Sequence, residues 1–170
     1  MTRLIEGGDQ EQDRRAGTEN VPAIMGMAAA LEEACAHMAE NTQKMSALRN
    51  RLIAGLSQIP DAVLNGDPEN RLPGNVNFSF EGIEGESLVL LLDQHGICAS
   101  TGSTCTAQSL SPSHVLLAIG RSHEAATGAL RLSLSEDNTQ ADVDEVLRIV
   151  PGLVRELRGK RVRNPFQRPL

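Results

Sequence analysis

The sequence predicts a small layered α/β domain, a mainly antiparallel sheet of three or four strands with helices packed on one face, together with a long N-terminal helix. Three observations predict it. Apolar residues recur at helical spacing over residues 21–60 and again over 139–157. Between those stretches, short strand-type runs alternate with short helical ones, joined by connections brief enough for antiparallel pairing. The composition is that of a globular chain: of 170 residues, 40% are hydrophobic and 22% charged, with 15 Gly and 8 Pro. That mix excludes collagen-like, mucin-like and wholly disordered chains.

Residues 1–20 are polar, charged and glycine-punctuated, which predicts a loop, and a mobile one if nothing supports it. From Val21 the pattern becomes helical: Leu31, Met38, Met45, Leu52 and Ile59 recur every seven residues, with Pro22 in the first turn and Ile59-Pro60-Asp61 as the stop. This is one long helix or two with a bend. Its weak seam residues (Ala34, Asn41, Gly55) favour packing against a core over a free coiled coil. Ala62-Val63-Leu64 reads as a short strand before the turn Asn65-Gly66-Asp67-Pro68, and Asn75-Val76-Asn77-Phe78-Ser79-Phe80 alternates as a half-buried strand does.

Glu86 to Gln94 reads as a helix closed by a left-handed Gly96, and Ile97-Cys98-Ala99 as a further short strand. Residues 100–111 are small and polar. Ser111-Pro112 then opens a helix with Val115, Leu116 and Ile119 on one face and Gly120 at its end. Gly128 to Leu134 is a strand. Thr139 caps a last helix that Pro151-Gly152 should kink.

The net charge of −6 is unevenly spread. Residues 155–170 carry six basic side chains and one acid, so the body is strongly acidic and repels phosphate backbones. With no Trp, no Tyr and three Phe, the chain also lacks the aromatic platform that stacks bases. Nucleic-acid binding is not expected. The tail reads as a solvated terminus broken by Pro165 and Pro169, or as a docking segment for an acidic surface. No apolar run approaches the roughly 18 residues of a membrane span, and no secretory stretch opens the sequence, so the expected compartment is the cytoplasm. Three cysteines are too few for a disulfide framework and are read as reduced thiols.

Two residues stand out chemically. Cys105 lies within Ser100-Thr101-Gly102-Ser103-Thr104-Cys105-Thr106-Ala107-Gln108-Ser109, which has almost nothing to bury, so its thiol is either reactive or an idle loop thiol. Cys35 and Cys98, among apolar neighbours, are read as core residues. His95, Cys98, Cys105 and His114 are four possible zinc ligands, but they lack the close cysteine pair that structural sites favour. His37 and His123 are read as solvent-facing. Arg131 sits in the middle of an apolar strand, so its guanidinium requires a partner: a carboxylate of this chain or one of a ligand.

At these residues the sequence resembles the cysteine desulfurases, pyridoxal-phosphate enzymes of fold type I that take sulfur from L-cysteine. The resemblance rests on Gly7-Gly8-Asp9-Gln10-Glu11 with Arg15-Ala16-Gly17-Thr18-Glu19-Asn20-Val21, on Ser100 to Thr106 with Ser111-Pro112-Ser113-His114, and on Leu130-Arg131-Leu132-Ser133-Leu134. It spans nearly the whole chain in the family's order. It implies that Cys105 is the nucleophile that becomes a persulfide, that Arg131 holds the substrate carboxylate, and that Thr18 donates to the cofactor phosphate across a homodimer interface. It further implies an iron–sulfur scaffold or another protein as sulfur acceptor. The sequence departs mildly at Thr104, Gln108 and Ser135, where the family commonly has Ala, small residues and Gly.

The larger departure is an absence. The resemblance puts the family's Schiff-base lysine, with the groups that stack on the ring and face its nitrogen, in a large domain preceding Gly7, and neither Lys44 nor Lys160 is a plausible substitute. The expected organisation is a loop of that large domain over 1–20, a connecting helix over 21–60, a small domain over 61–157 with the cysteine loop at about 99–111, and a basic tail over 158–170. The expected function is that of the C-terminal portion of a cysteine desulfurase, inactive without the large PLP-binding domain or a partner chain. A non-catalytic sulfur carrier and a selenocysteine lyase are the alternatives.

Overall fold

Alternation along Asn75–Phe80 builds the centre of the sheet. This strand, β2, is flanked by β1 (Ala62–Leu64) and β3 (Ala129–Ser133), both antiparallel to it, in the order β1-β2-β3. The register sets Ala62 against Phe80, Leu64 against Phe78, Val76 against Leu132 and Phe78 against Leu130. Those apolar residues share one face, and Val63, Asn77, Ser79, Ala129 and Arg131 share the other. The structure, a computed structural model, describes residues 2–101 and 112–162. It comprises two compact units, Met1–Ala39 and Glu40–Leu170.

In the second unit, helices α3 (Met38–Leu56), α4 (Gly85–Asp93) and α7 (Gln140–Val162) supply the core on the apolar face. Leu52, Leu56, Leu88, Leu92, Val143, Val150 and Val154 are buried against Val76, Phe78, Phe80 and Leu130. The Phe78 and Phe80 rings stack at 6.0 Å between centroids. Each such side chain stabilises the fold by about 1.5–3 kcal/mol relative to exposure. Glycine permits close approach at several points. A Cβ at Gly55 would strike Leu147 of α7, and one at Gly128 would strike the Phe80 carbonyl oxygen. The short helices α5 (His114–Ala118) and α6 (His123–Thr127) form a smaller cluster through Leu116, Ala126 and Ala129. Because Ala129 alternates with Leu130, that cluster covers one end of the opposite face.

Local chemistry sets the ends. Gly96 adopts φ +73°, and around it the Ile97 N–H donates to the Leu92 oxygen (3.0 Å) and the Gly96 N–H to the Asp93 oxygen (2.9 Å). At the start of α7 the Thr139 Oγ1 accepts from the Asp142 N–H (3.3 Å) and the Asp142 carboxylate accepts from the Thr139 N–H (2.8 Å). The helix then runs on through Pro151 to Val162 as one element. The helix expected from Ser111-Pro112 instead starts at His114, with Ser113 as its N-cap and no capping side-chain bond. Of its expected apolar face only Leu116 is buried, while Val115 and Ile119 are exposed.

The first unit holds α1 (Gln10–Asp13) and α2 (Val21–Ala36). The expected loose loop is closed on itself. Arg3 donates to Asp9 (2.8 Å), Asp13 (2.6 Å) and the Gly7 oxygen (2.9 Å), and the Ala16 N–H donates to the Ile5 oxygen (3.1 Å). Glu11, Gln12 and Asp13 lie in the left-handed region, which makes α1 a left-handed turn. Asn20 caps α2 through its side chain to the Ala23 N–H (3.2 Å), with Pro22 in the first turn. Of the two arrangements that the heptads left open, the structure has two helices: α2 ends at Ala36, and α3 begins after His37.

Two cysteine assignments are corrected. Cys35 is exposed, because no residue of α2 is buried. Cys98 is exposed and in no strand: Ile97 and Ala99 pack inward against the core, so the residue between them faces out. The alternation was real and its parity opposite to that expected. Among the described residues, no helix is long and apolar enough to cross a membrane.

Candidate functional site

Arg131 occupies the middle of β3 and is half-buried on the face opposite the core. Its neighbours Leu130 and Leu132 are 1% and 5% exposed, and they hold the strand in place. The Arg131 main chain is bonded to Ser100, not to β2: its N–H donates to the Ser100 oxygen (2.5 Å) and its oxygen accepts from the Ser100 N–H (3.1 Å). Asn77 is its register partner on β2. Since the Arg131 main-chain groups point the other way, Arg131 and Asn77 form a non-hydrogen-bonded pair, the type in which side chains stand closest.

Among the described residues, no carboxylate and no hydrogen-bond acceptor engages the Arg131 side chain. Of the two partners left open by the sequence, an acid of this chain is therefore absent from the described residues. An arginine held by its strand and lacking an internal counter-charge can receive the carboxylate of a ligand in bidentate geometry.

Ser100 also begins the segment that carries Cys105. The following Thr101 packs its methyl group against Gly85 at the start of α4, where a Cβ would come within 3.2 Å of it. Cys105 itself, with Thr104 and Gln108, lies outside the described residues. Thr18 belongs to the first unit, where it is exposed between Gly17, with φ +98°, and the α2 cap. Its hydroxyl makes no hydrogen bond among the described residues.

Sequence reasoning missed the polar network beside Arg131. Asn65, 4% exposed, donates from Nδ2 to Asn77 Oδ1 (2.7 Å) and to Ser79 Oγ (2.9 Å). Its Oδ1 accepts from Arg121 Nε (2.7 Å), and its main-chain oxygen accepts from Arg71 Nη2 (3.2 Å). Arg121 Nη2 also donates to the Leu64 oxygen (2.7 Å). Burial, and next the charge of Arg49, push the Arg71 pKa down, while Asp67 opposes them. A signal was present: the polar positions of Asn75–Phe80 are the ones that the pleat places on the face of Arg131.

Both lysines have partners on the surface. Lys44 Nζ donates to the main-chain oxygen of Glu136, and Lys160 Nζ pairs with Glu156 at 2.6 Å on the exposed side of α7. His95, His114, His37 and His123 are all exposed. Among the described residues, no three His, Cys, Asp or Glu side chains cluster as metal ligands would.

Residues 5–146 match the family model described as aminotransferase class-V. The cysteine desulfurase IscS of Methanosarcina thermophila is 56% identical over 156 residues, which are 92% of this chain and 39% of that protein. The cysteine desulfurase NifS of Azotobacter vinelandii is 48% identical over 157 residues, again 92% of this chain and 39% of that one. Among solved structures, a NifS-like protein superposes with a TM-score of 0.79 at 36% identity, covering 92% of this chain and 40% of its own. A NifS-like protein from Rickettsia africae also gives 0.79, at 30% identity, with 91% of this chain and 40% of that one covered. The chain thus spans about 40% of the length of the relatives it matches.

Proposed function

Because the chain belongs to the aminotransferase class-V family, we propose that it is the part of a cysteine desulfurase that carries the persulfide cysteine and the substrate-carboxylate arginine. The observation that carries this reading is the tie between Arg131 and Ser100. It joins a half-buried guanidinium, without a counter-ion among the described residues, to the start of the segment that carries Cys105. Cys105 lies five positions after Ser100, so their covalent tether spans at most about 18 Å. A thiol so tethered can reach a substrate whose carboxylate Arg131 holds.

In this reading Arg131 binds and orients L-cysteine through its carboxylate. Pyridoxal phosphate, when bound, supplies the electron sink that weakens the carbon–sulfur bond of the substrate. The thiolate of Cys105 bonds to the substrate sulfur, that carbon–sulfur bond breaks, the carbon takes up a proton, and alanine leaves while Cys105 keeps the sulfur as a persulfide. Thr18, exposed and unbonded among the described residues, donates its hydroxyl to the cofactor phosphate of the other protomer of a homodimer. The covalent lysine is expected outside this chain, a reading supported by the contacts of Lys44 with the Glu136 oxygen and of Lys160 with Glu156. The apolar surface of α2 (Ile24, Met25, Met27 and Leu31 are 48–69% exposed) supports a reading in which further protein, the large domain or a second protomer, covers it. The persulfide passes to an iron–sulfur scaffold or another acceptor protein, and the cytoplasm is the expected compartment.

The test is alanine release from L-cysteine together with cofactor absorbance. The chain with added pyridoxal phosphate should give neither a bound-cofactor band nor alanine. The complete protein, which includes a lysine-bearing domain, should give both, with persulfide on Cys105. A complete protein that releases no alanine overturns the desulfurase reading, and turnover by the chain alone overturns the assignment of the lysine elsewhere.

A further inference from the structure

Arg121 belongs to none of the motifs above, yet it sets the polarity of the face on which Arg131 stands. It leaves α5 through a fixed turn: Gly120 adopts φ +86°, its N–H donates to the Leu117 oxygen (3.0 Å), and the Arg121 N–H donates to the Leu116 oxygen (3.0 Å). The guanidinium so placed reaches Asn65 Oδ1 and the Leu64 oxygen.

A guanidinium donates and never accepts. The end of the Asn65 amide that faces Arg121 must therefore be its oxygen, and the NH₂ must face Ser79 and Asn77. Asn77 must then present its own oxygen to Asn65, as it does at 2.7 Å. Its remaining end, the Nδ2 group, is a donor on the face shared with Arg131. Ser79 cannot enforce this order, because a hydroxyl serves as donor or acceptor. Arg121 is the one obligate donor among the four. Were the two amides reversed, the Asn77 oxygen would be free to accept from the guanidinium across the closest kind of strand pair.

We propose that Arg121 is a positioning residue: by orienting Asn65, and through it Asn77, it withholds an internal acceptor from Arg131 and keeps that guanidinium open for the substrate carboxylate. The inference rests on the desulfurase reading and deepens it by assigning the device that keeps its carboxylate site vacant.

The test uses the complete, cofactor-loaded protein. Two readouts are taken: KM and kcat for L-cysteine, and the dissociation constants of L-alanine and L-alanine methyl ester, followed by cofactor absorbance. Asn77→Asp hands Arg131 a counter-ion of its own. It should weaken L-alanine and raise KM by about fivefold, the equivalent of a partly exposed ion pair, with little change for the uncharged ester. Asn77→Ala removes the acceptor altogether and should stay within about twofold of wild type. Arg121→Met should act in the direction of Asn77→Asp, with kcat unchanged, and Arg121→Lys, still a donor, should restore much of the loss. If Asn77→Ala weakens L-alanine as much as Asn77→Asp, or if the ester is weakened equally, the proposal is wrong. Should Arg121→Met fail to fold, the order of the two Asn77 variants decides. Arg131→Ala separates the two levels: if it leaves L-alanine binding intact the carboxylate reading falls, whereas a large effect beside two equal Asn77 variants overturns the positioning alone.

Discussion

Arg131 and Asn77 face each other across β2 and β3 with the main-chain bonds of Arg131 turned away to Ser100. One strand residue thereby does two things: its backbone anchors the start of the segment that carries Cys105, and its side chain stays on the polar face. The amide opposite turns its oxygen to Asn65, and among the described residues no acceptor engages the guanidinium.

Arg131→Ala should therefore raise the KM for L-cysteine about 10- to 100-fold in the complete enzyme. That range corresponds to loss of charge-assisted hydrogen bonds worth about 1.5–3 kcal/mol. Thermal stability should change little, since no described acid loses a partner. Steady-state kinetics with a parallel melting curve checks both, and an unchanged KM accompanied by a large drop in Tm would mark the arginine as structural.

Cys105→Ala should abolish persulfide formation and alanine release while the fold persists. Neighbours as small and polar as Thr104 and Thr106 offer the thiol little packing to lose. Mass spectrometry of the enzyme after exposure to L-cysteine reads the persulfide directly. Wild-type alanine production by the variant would sink the nucleophile assignment.

Leu56→Ala should cost about 2–5 kcal/mol, the range for emptying a fully enclosed site. Leu56 has no exposed surface and ends α3 where Gly55 admits Leu147. For a unit of this size that is a fall in Tm of about 10 °C, measurable by circular dichroism. Leu90→Ala, on the exposed side of α4, should move Tm by a small fraction of that.

Asp142→Asn should flatten the acid limb of the stability curve. The backbone hydrogen bond from Thr139 is the largest of the influences that hold the Asp142 carboxyl below its usual range. A carboxylate lowered in the folded state contributes stability that is fully present above its unfolded pKa, about 3.9, and is lost as the pH falls through the folded value. The variant should therefore lose stability at neutral pH and differ less from wild type below about pH 4. Asp67, lowered first by the Asn70 main-chain bond and then by that of Glu69, sustains part of the same limb in both proteins. Equal loss at every pH would show that the cap acts through shape alone.

The three strands of the sheet, the ends of α4 and α5 and the cap of α7 were legible because each is written in local chemistry. Alternation marked Asn75–Phe80, the left-handed glycines at 96 and 120 marked helix ends, and Thr139 with Asp142 formed the cap its side chain allows. Cys105, Arg131 and Thr18 were marked as candidates by short motifs and by the resemblance those motifs carry. The sequence by itself thus determined most of the segments that become strands and helices, though not that 97–99 stays outside the sheet, and which side chains are candidates for chemistry. Only the tertiary structure decided which way Cys98 faces, that the heptads over 21–60 break at His37, and that Arg121, Asn65 and Asn77 form one polarity chain beside Arg131. Those outcomes depend on pairing between residues up to 56 positions apart, and periodicity within a segment carries no record of which partner it will meet.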